Sequence, residues 1–335
     1  MKITLVITVL CVGFGAGGST TDPSVLQRRA YERAVSLTEE EAGTPLSSFV
    51  VVGDTQQLPV VDKLVAGGPL ERKRIRRRIR ELRPDLRLHA GDIVTYGGLR
   101  IYWRAYRKEY RDLPFWPVLG NHDLFGSNLV ALASFFSIHP RLKGRRFYLL
   151  RRPPLAFLML DSNFGEMSAE EIRVQQEWFV RSLEEAERDG EVRAVMLVVH
   201  HPPFSAHMSG GNERVRRLFW DPAMRFSKVV AVFSGHHHDY QHIRIDGRHA
   251  FVTGGGGAPL YFTKGPGLPA GAELLAAVPA RHLICGKIEK GGISLEMHRL
   301  HPDGSFQIED PTFLPWPDVR RGEPSLEIVT GGGSE

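Results

Sequence analysis

Phe49-Val50-Val51-Val52-Gly53-Asp54-Thr55-Gln56 is the stretch on which the reading of this chain turns. Branched and aromatic residues make an apolar run of strand length. The glycine lets the backbone turn tightly, and a carboxylate follows at once. The same plan recurs along the chain. Leu86-Arg87-Leu88-His89-Ala90 leads into Gly91-Asp92, Val118-Leu119 into Gly120-Asn121-His122-Asp123, Val198-Val199 into His200-His201-Pro202-Pro203, and Val232-Phe233-Ser234 into Gly235-His236-His237-His238. Residues 115–119 and 155–160 also have strand length and composition. Helix-period segments lie between these runs. Ile172, Phe179, Leu183 and Ala186 form one apolar stripe, and Ile75, Ile79, Leu82 and Leu86 form another within and just beyond the arginine-rich run 71–83. Strands alternating with helices predict an α/β fold. In such sheets, sites lie just past the carboxyl ends of the strands, where this chain puts its Asp, Asn and His residues.

Carboxylate oxygen, amide carbonyl and imidazole nitrogen form a mixed donor set suited to divalent Zn, Mn, Fe or Co, and no thiolate is among them. The set exceeds what one tetrahedral ion can use. A pair of ions sharing one carboxylate would use it all, and such a pair clamps the attacking and leaving oxygens of a phosphoryl displacement. Phosphate transfer is the reaction class this predicts.

The ordered string Gly-Asp-x-Gln, Gly-Asp, Gly-Asn-His-Asp, His-His-Pro-Pro, Gly-His-x-His resembles the calcineurin-like metallophosphoesterase superfamily, which includes purple acid phosphatases. Leu160-Asp161-Ser162, the segment Gln176 to Trp178 and the run Gly254-Gly255-Gly256-Gly257-Ala258-Pro259-Leu260-Tyr261 resemble its bacterial, purple-acid-phosphatase-like branch. The resemblance spans about residues 49–300. It implies a two-sheet β-sandwich flanked by helices, a four-layer αββα arrangement, in a single catalytic domain. It further implies that Asp54 and His238 hold a first metal, Asp92 bridges both, and Asn121, His200 and His236 complete the second. A metal-activated water would be the nucleophile, with His122 protonating the leaving alcohol and Asp123 orienting its ring. His207 is a candidate for contact with substrate phosphate, while His201 and His237 are expected to play supporting parts.

Two departures from the family pattern matter. Gln56 stands where the family usually has His, and an amide carbonyl is a harder, weaker ligand than imidazole, favouring Mn or Mg in the first site. Thr95 stands where purple acid phosphatases place an iron-binding Tyr, with Tyr96 one residue late, which argues against a tyrosinate-iron centre. The expected cofactors are therefore two metal ions drawn from Mn, Zn or Fe, acting on a small phosphorylated substrate. A diphosphatase acting on nucleotide-sugar or nucleotide-alcohol substrates is an alternative. So is a catalytically impaired binding protein on the same fold, for which Gln56 is the only sequence support.

The rest of the chain narrows the setting. Its 335 residues are 42% hydrophobic and 24% charged, which excludes a disordered, collagen-like or multi-span membrane protein. Two cysteines cannot make a disulfide scaffold. The net charge of +5 is too small to indicate nucleic-acid binding, and the basic run 71–83 reads as the solvated face of an amphipathic helix. Residues 1–18, a lysine followed by an apolar run and small residues, are expected to be a signal peptide of a secreted or periplasmic protein, with an uncleaved membrane anchor as the alternative. Residues 19–48 read as a lead-in linker with a short helix at 26–36, residues 49–300 as the catalytic domain, and residues 301–335 as an extended C-terminal tail ending in disorder. His89 is expected to be packed rather than ligating. His139, His242, His249, His282, His298 and His301 are expected to be ordinary polar residues.

Overall fold

The computed structural model describes residues 38–40, 45–57, 68–261 and 267–318. The expected signal peptide and the helix at 26–36 lie outside the described residues, as does the chain beyond 318. The strands are β1 (Thr38–Glu40), β2 (Ser48–Val52), β3 (Leu86–His89), β4 (Trp116–Pro117), β5 (Tyr148–Arg152), β6 (Leu155–Leu160), β7 (Ala194–Val199), β8 (Val229–Ser234), β9 (Tyr240–Ile245), β10 (Arg248–Thr253), β11 (Ala272–Val278), β12 (Arg281–Ile288), β13 (Gly292–Leu300) and β14 (Phe306–Pro315). The longer helices are α1 (Gly68–Leu82), α2 (Arg100–Tyr110), α3 (Asn128–Ile138) and α4 (Ala169–Arg188).

The strands form two mixed sheets. One runs β1-β5-β6-β7-β8-β10-β9-β11 and the other β14-β13-β12-β2-β3-β4, and helices flank them in the four-layer αββα sandwich that the motif string implied. Each sheet contains a parallel trio, β6-β7-β8 in the first and β2-β3-β4 in the second. Strands β6 and β7 are buried along their whole length, which explains their unbroken apolar runs. The sheets meet through aromatic contacts. Phe49 of β2 lies 5.3 Å from Phe157 of β6 and 6.3 Å from Phe233 of β8, edge to face in both cases.

Helix α4 packs Phe179, Leu183 and Ala186 inward and is closed at its start by Ser168, whose side chain accepts from the Glu171 amide while Glu171 reaches back to the Ser168 amide. Helix α1 buries Ile75 and Ile79. Part of its basic face is paired locally: Arg76 meets Glu109 at 2.5 Å, Arg80 meets Asp112 at 2.6 Å, and Arg77 and Arg78 both meet Glu81. The arginine-rich run is thus one face of an amphipathic helix, as its spacing predicts.

Four expectations need correction. Leu86 does not continue the α1 stripe, because Arg83 turns with φ 47° before Pro84 and Leu86 opens β3. The expected strand 115–119 is ladder-paired only at Trp116–Pro117. The segment expected as an extended tail joins the sheet: β14 pairs along its length with β13, so the second sheet extends to Pro315, past the boundary expected at 300. The lead-in contributes a strand of its own, since β1 pairs in parallel with β5. No helix among the described residues is long and apolar enough to cross a membrane.

Candidate metal centre

The two parallel trios end side by side, and the residues after those ends form one site. Asp54 and Gln56 follow β2, Asp92 follows β3, and Asn121 follows β4. From the other sheet, His200 follows β7, and His236 and His238 follow β8. Asp54, Asp92 and His236 all hold positive φ, at 56°, 55° and 72°. Left-handed backbone at three converging polar residues is the kind of strain that folds tolerate at functional sites.

The donor atoms gather into two groups. Asp54, Asp92 and His238 each bring one ligand atom within 4.8 Å of the others, and so do His200, His201 and His236. In the first group His238 Nε2 lies 3.4 Å from Asp54 Oδ1, and Gln56 Nε2 lies 3.3 Å from both Asp92 Oδ2 and His238 Nε2. In the second, Asn121 Oδ1 is 3.0 Å from His200 Nε2 and 3.0 Å from His236 Nδ1. Asp92 Oδ1 reaches across to 3.4 Å from His200 Nε2. The opposite nitrogens of two rings are held by carbonyls: His200 Nδ1 donates to Ala90 O at 2.9 Å, and His238 Nδ1 to Pro259 O at 2.8 Å. Such bonds fix the tautomer and leave Nε2 bare, as metal-ligating histidines require.

Electrostatics point the same way. Burial pushes the Asp54 and Asp92 carboxyls well above their ordinary range, and the neighbouring aspartates add to it; no Lys or Arg pairs with either among the described residues. Burial, reinforced by the neighbouring imidazoles, holds His200 well below the ordinary histidine value and His236 down to about 2. Burial brings His238 to about 4. Neutral imidazoles facing uncompensated buried carboxylates, with Gln56 Oε1 buried and lacking any partner, make a donor set that fits cations.

His122 stands beside this set. Its amide donates to Asp92 Oδ1 at 2.9 Å, and its Nδ1 donates to the Thr95 carbonyl at 3.0 Å, which leaves Nε2 free. The expected orienting role of Asp123 is not what its geometry provides. Its carboxylate turns under the chain and accepts from the amides of Ile93, Val94 and Gly120 at 2.8–2.9 Å, so the Thr95 carbonyl holds the His122 ring instead. Burial raises Asp123 to about 7, against those lowering amide bonds.

His207 lies at the side of the site. Its ring stacks on His237 at 4.3 Å, and its Nδ1 is 2.9 Å from Ser209 Oγ. His237 is held by Ser205 at 2.7 Å and Ser209 at 3.0 Å, and it supports the wall rather than entering either donor group. His201 lies closer in than expected. Its Nδ1 is 2.7 Å from Ser162 Oγ, and its ring lies 4.6 Å from that of His236. His89 is packed as expected, fully buried with Nε2 2.9 Å from Thr55 Oγ1. The glycine run lines the first donor loop: Gly256 N donates to Gly53 O at 3.0 Å and Ala258 N to Asp54 O at 2.9 Å. Tyr261 closes that run. Its hydroxyl donates to the His236 carbonyl at 2.9 Å, and its ring lies 4.6 Å from that of His238.

The family model for calcineurin-like phosphoesterases matches residues 47–240, which contain every one of these donors. The chain belongs to the calcineurin-like phosphoesterase family. As a member of that family it is a metal-dependent phosphoesterase. This calcineurin-like phosphoesterase is 25% identical over 248 residues to tartrate-resistant acid phosphatase type 5 of Sus scrofa, a match covering 64% of this chain and 71% of that protein. Among solved structures, it matches purple acid phosphatase PPD1 of yellow lupin (Lupinus luteus) with TM-score 0.63 and 15% identity, over 82% of this chain and 54% of that one. It also matches GAP50, the anchor in the inner membrane complex of Plasmodium, with TM-score 0.60 and 17% identity, over 82% and 90% of the two chains. At these identities the two structures share the fold with this phosphoesterase.

Proposed function

We propose that the chain hydrolyses phosphate esters of small molecules at a dinuclear metal centre. Asp54, Gln56, Asp92 and His238 would hold one ion, and Asp92, Asn121, His200 and His236 the other, with Mn, Zn or Fe as the candidates. The observation that carries this reading is Asp92, which turns one oxygen to Gln56 at 3.3 Å and the other to His200 at 3.4 Å, the posture of a carboxylate shared by two sites. Bound divalent ions supply positive charge at the phosphoryl oxygens and a water nucleophile at neutral pH.

The chain's own residues supply the rest. The Thr95 carbonyl accepts from His122 Nδ1, which leaves Nε2 as the nitrogen open to substrate; in its imidazolium form the ring gives the Nε2 proton to the departing alkoxide. Asp123 keeps the loops around Asp92 and Asn121 in place by gathering three amides from them. His207, stacked on His237 and 5.5 Å from the ring of Tyr261, stands where it can meet a phosphate oxygen from the flank.

Stripping the purified chain with chelator and reloading it with Mn, Zn or Fe tests the reading. The expected result is a pair of ions per chain, with hydrolysis of 4-nitrophenyl phosphate or its bis-ester only when loaded. Equal turnover by the stripped chain, or none with any metal, would sink it; metal and phosphate binding without turnover would identify a binding protein on this fold.

A further inference from the structure

Four aromatic rings run in a row from the flank of the molecule to the free face of His122. Tyr102 and Tyr96 lie 5.9 Å apart between centroids, Tyr96 and Phe125 6.3 Å, and Phe125 and His122 4.5 Å. Tyr96 is 48% exposed and Phe125 42%, an unusual amount of open aromatic surface beside a buried polar site. The rings are not on loose loops. Gly97 N donates to His122 O at 3.1 Å and Gly98 N to Phe125 O at 2.8 Å, so the segment carrying Tyr96 and the one carrying Phe125 are bonded to each other. Trp103 pins the first segment again by donating from its indole to Gly97 O at 2.7 Å. Tyr96 and Phe125 take part in no ion pair among the described residues. The surface is apolar, tied down by backbone hydrogen bonds, and lies against His122, whose Nε2 is open.

Resting on the phosphoesterase reading above, we propose that Tyr96 and Phe125 form a platform for an aromatic leaving group, so that the preferred substrates are phosphate esters of alcohols that carry an aromatic ring. Hydrolysis of such an ester forms a P–O bond to the water oxygen and breaks the P–O bond to the substituted alkoxide. The alkoxide takes up a proton and leaves as the alcohol, and inorganic phosphate remains. Stacking on Tyr96 and Phe125 holds the departing oxygen near His122 Nε2. The exposed face fits a planar π-system better than an alkyl chain, because offset and edge-on ring contacts add to simple burial. The position of Tyr96 also gives that residue a use in a chain where Thr95 takes the place of an iron-binding tyrosine.

The test compares 2-phenylethyl phosphate, 2-cyclohexylethyl phosphate and ethyl phosphate on the metal-loaded chain. Their alcohols differ little in acidity, so the bond broken is chemically alike and differences in kcat/KM report the contact made by the substituent. The expected preference for the phenyl ester over ethyl phosphate is about tenfold, with the cyclohexyl ester between them. In Tyr96→Ala and in Phe125→Ala the phenyl-to-ethyl ratio falls toward unity, whereas Tyr96→Phe keeps it. A wild-type ratio near unity, a ratio that survives both alanine variants, or a cyclohexyl ester as good as the phenyl ester overturns the platform. Calorimetric binding of 2-phenylethylphosphonate and ethylphosphonate separates the two levels of inference. Selective phenyl binding that depends on Tyr96, without hydrolysis of any ester, keeps the platform and removes the enzyme; hydrolysis without selectivity does the reverse.

Discussion

Gln56 turns its amide nitrogen to 3.3 Å from Asp92 Oδ2 while its Oε1 is buried with no partner. The amide nitrogen and oxygen of a Gln side chain exchange places by a simple flip, so either can face the donor group. Reversing the amide brings the carbonyl oxygen to the donor group, where a metal would satisfy it. The expectation is that Gln56→His, which installs a softer nitrogen donor, tightens Zn binding at the first site by roughly tenfold and raises the preference for Zn over Mn. Chelator competition with each metal reads this directly. An unchanged Zn affinity would mean that residue 56 does not ligate.

His122 is held by a backbone carbonyl rather than by a carboxylate, so its part can be separated from metal binding. His122→Ala should leave metal content intact. It should lower kcat/KM for ethyl phosphate, whose alkoxide needs a proton to leave, by about a hundredfold. For 4-nitrophenyl phosphate, whose leaving group needs no proton, the loss should be far smaller. Equal losses on the two esters would instead assign His122 to binding the phosphoryl oxygens.

The candidate donors were legible because each follows an apolar run closely, through a glycine in every case but His200, which comes straight after Val199. Nothing in the pattern depends on residues far away. The sandwich itself was legible only through resemblance, since the strands that complete it carry weak signals. Strand β11 is half exposed, and β14 mixes apolar and charged residues over Phe306–Pro315. Asp123 misled because adjacency in sequence suggested a pair with His122, whereas the turn sends its carboxylate to amides some thirty positions back. The histidines read as ordinary polar residues are in part buried by remote partners. His242 bonds Asp310 at 2.7 Å and His249 at 2.8 Å, and His298 accepts from Arg78 at 3.2 Å across 220 positions. No local spacing encodes such contacts.

His139 gives a pH prediction away from the donors. It is buried between Phe135, at 4.9 Å, and Tyr106, at 6.1 Å, with Nε2 lacking a partner; burial, aided by Arg141, brings its pKa down to about 3. The unfolded chain therefore takes up a proton below its ordinary value of 6.5 that the folded chain refuses until about 3. Stability falls as pH drops through that window, by up to about 1.4 kcal/mol per pH unit from this residue. His139→Phe removes the proton uptake. Urea unfolding at pH 4.5 and 7.5 should show the variant gaining on the wild type at the lower pH. A difference independent of pH would mean that His139 titrates normally in the fold.

Gly120 supports Asp92 by the absence of a side chain. A Cβ there would stand 2.1 Å from Asp92 Oδ1 and 2.2 Å from Asp92 N, distances that real contacts do not allow. Because the second obstacle is backbone, the clash cannot be relieved by a rotamer change alone, and Gly120→Ala must push the Asp92 loop away from His200 and Gln56. The expected cost is about 1–3 kcal/mol of stability, with loss of metal from both donor groups because the displaced carboxylate faces both. Gly165, where a Cβ meets nothing within 4 Å, is the control, and Gly165→Ala should leave melting temperature and metal content unchanged. Metal analysis beside thermal melting tells the two effects apart. A Gly120→Ala chain that melts earlier yet keeps its full metal content would show that Asp92 is not the shared ligand.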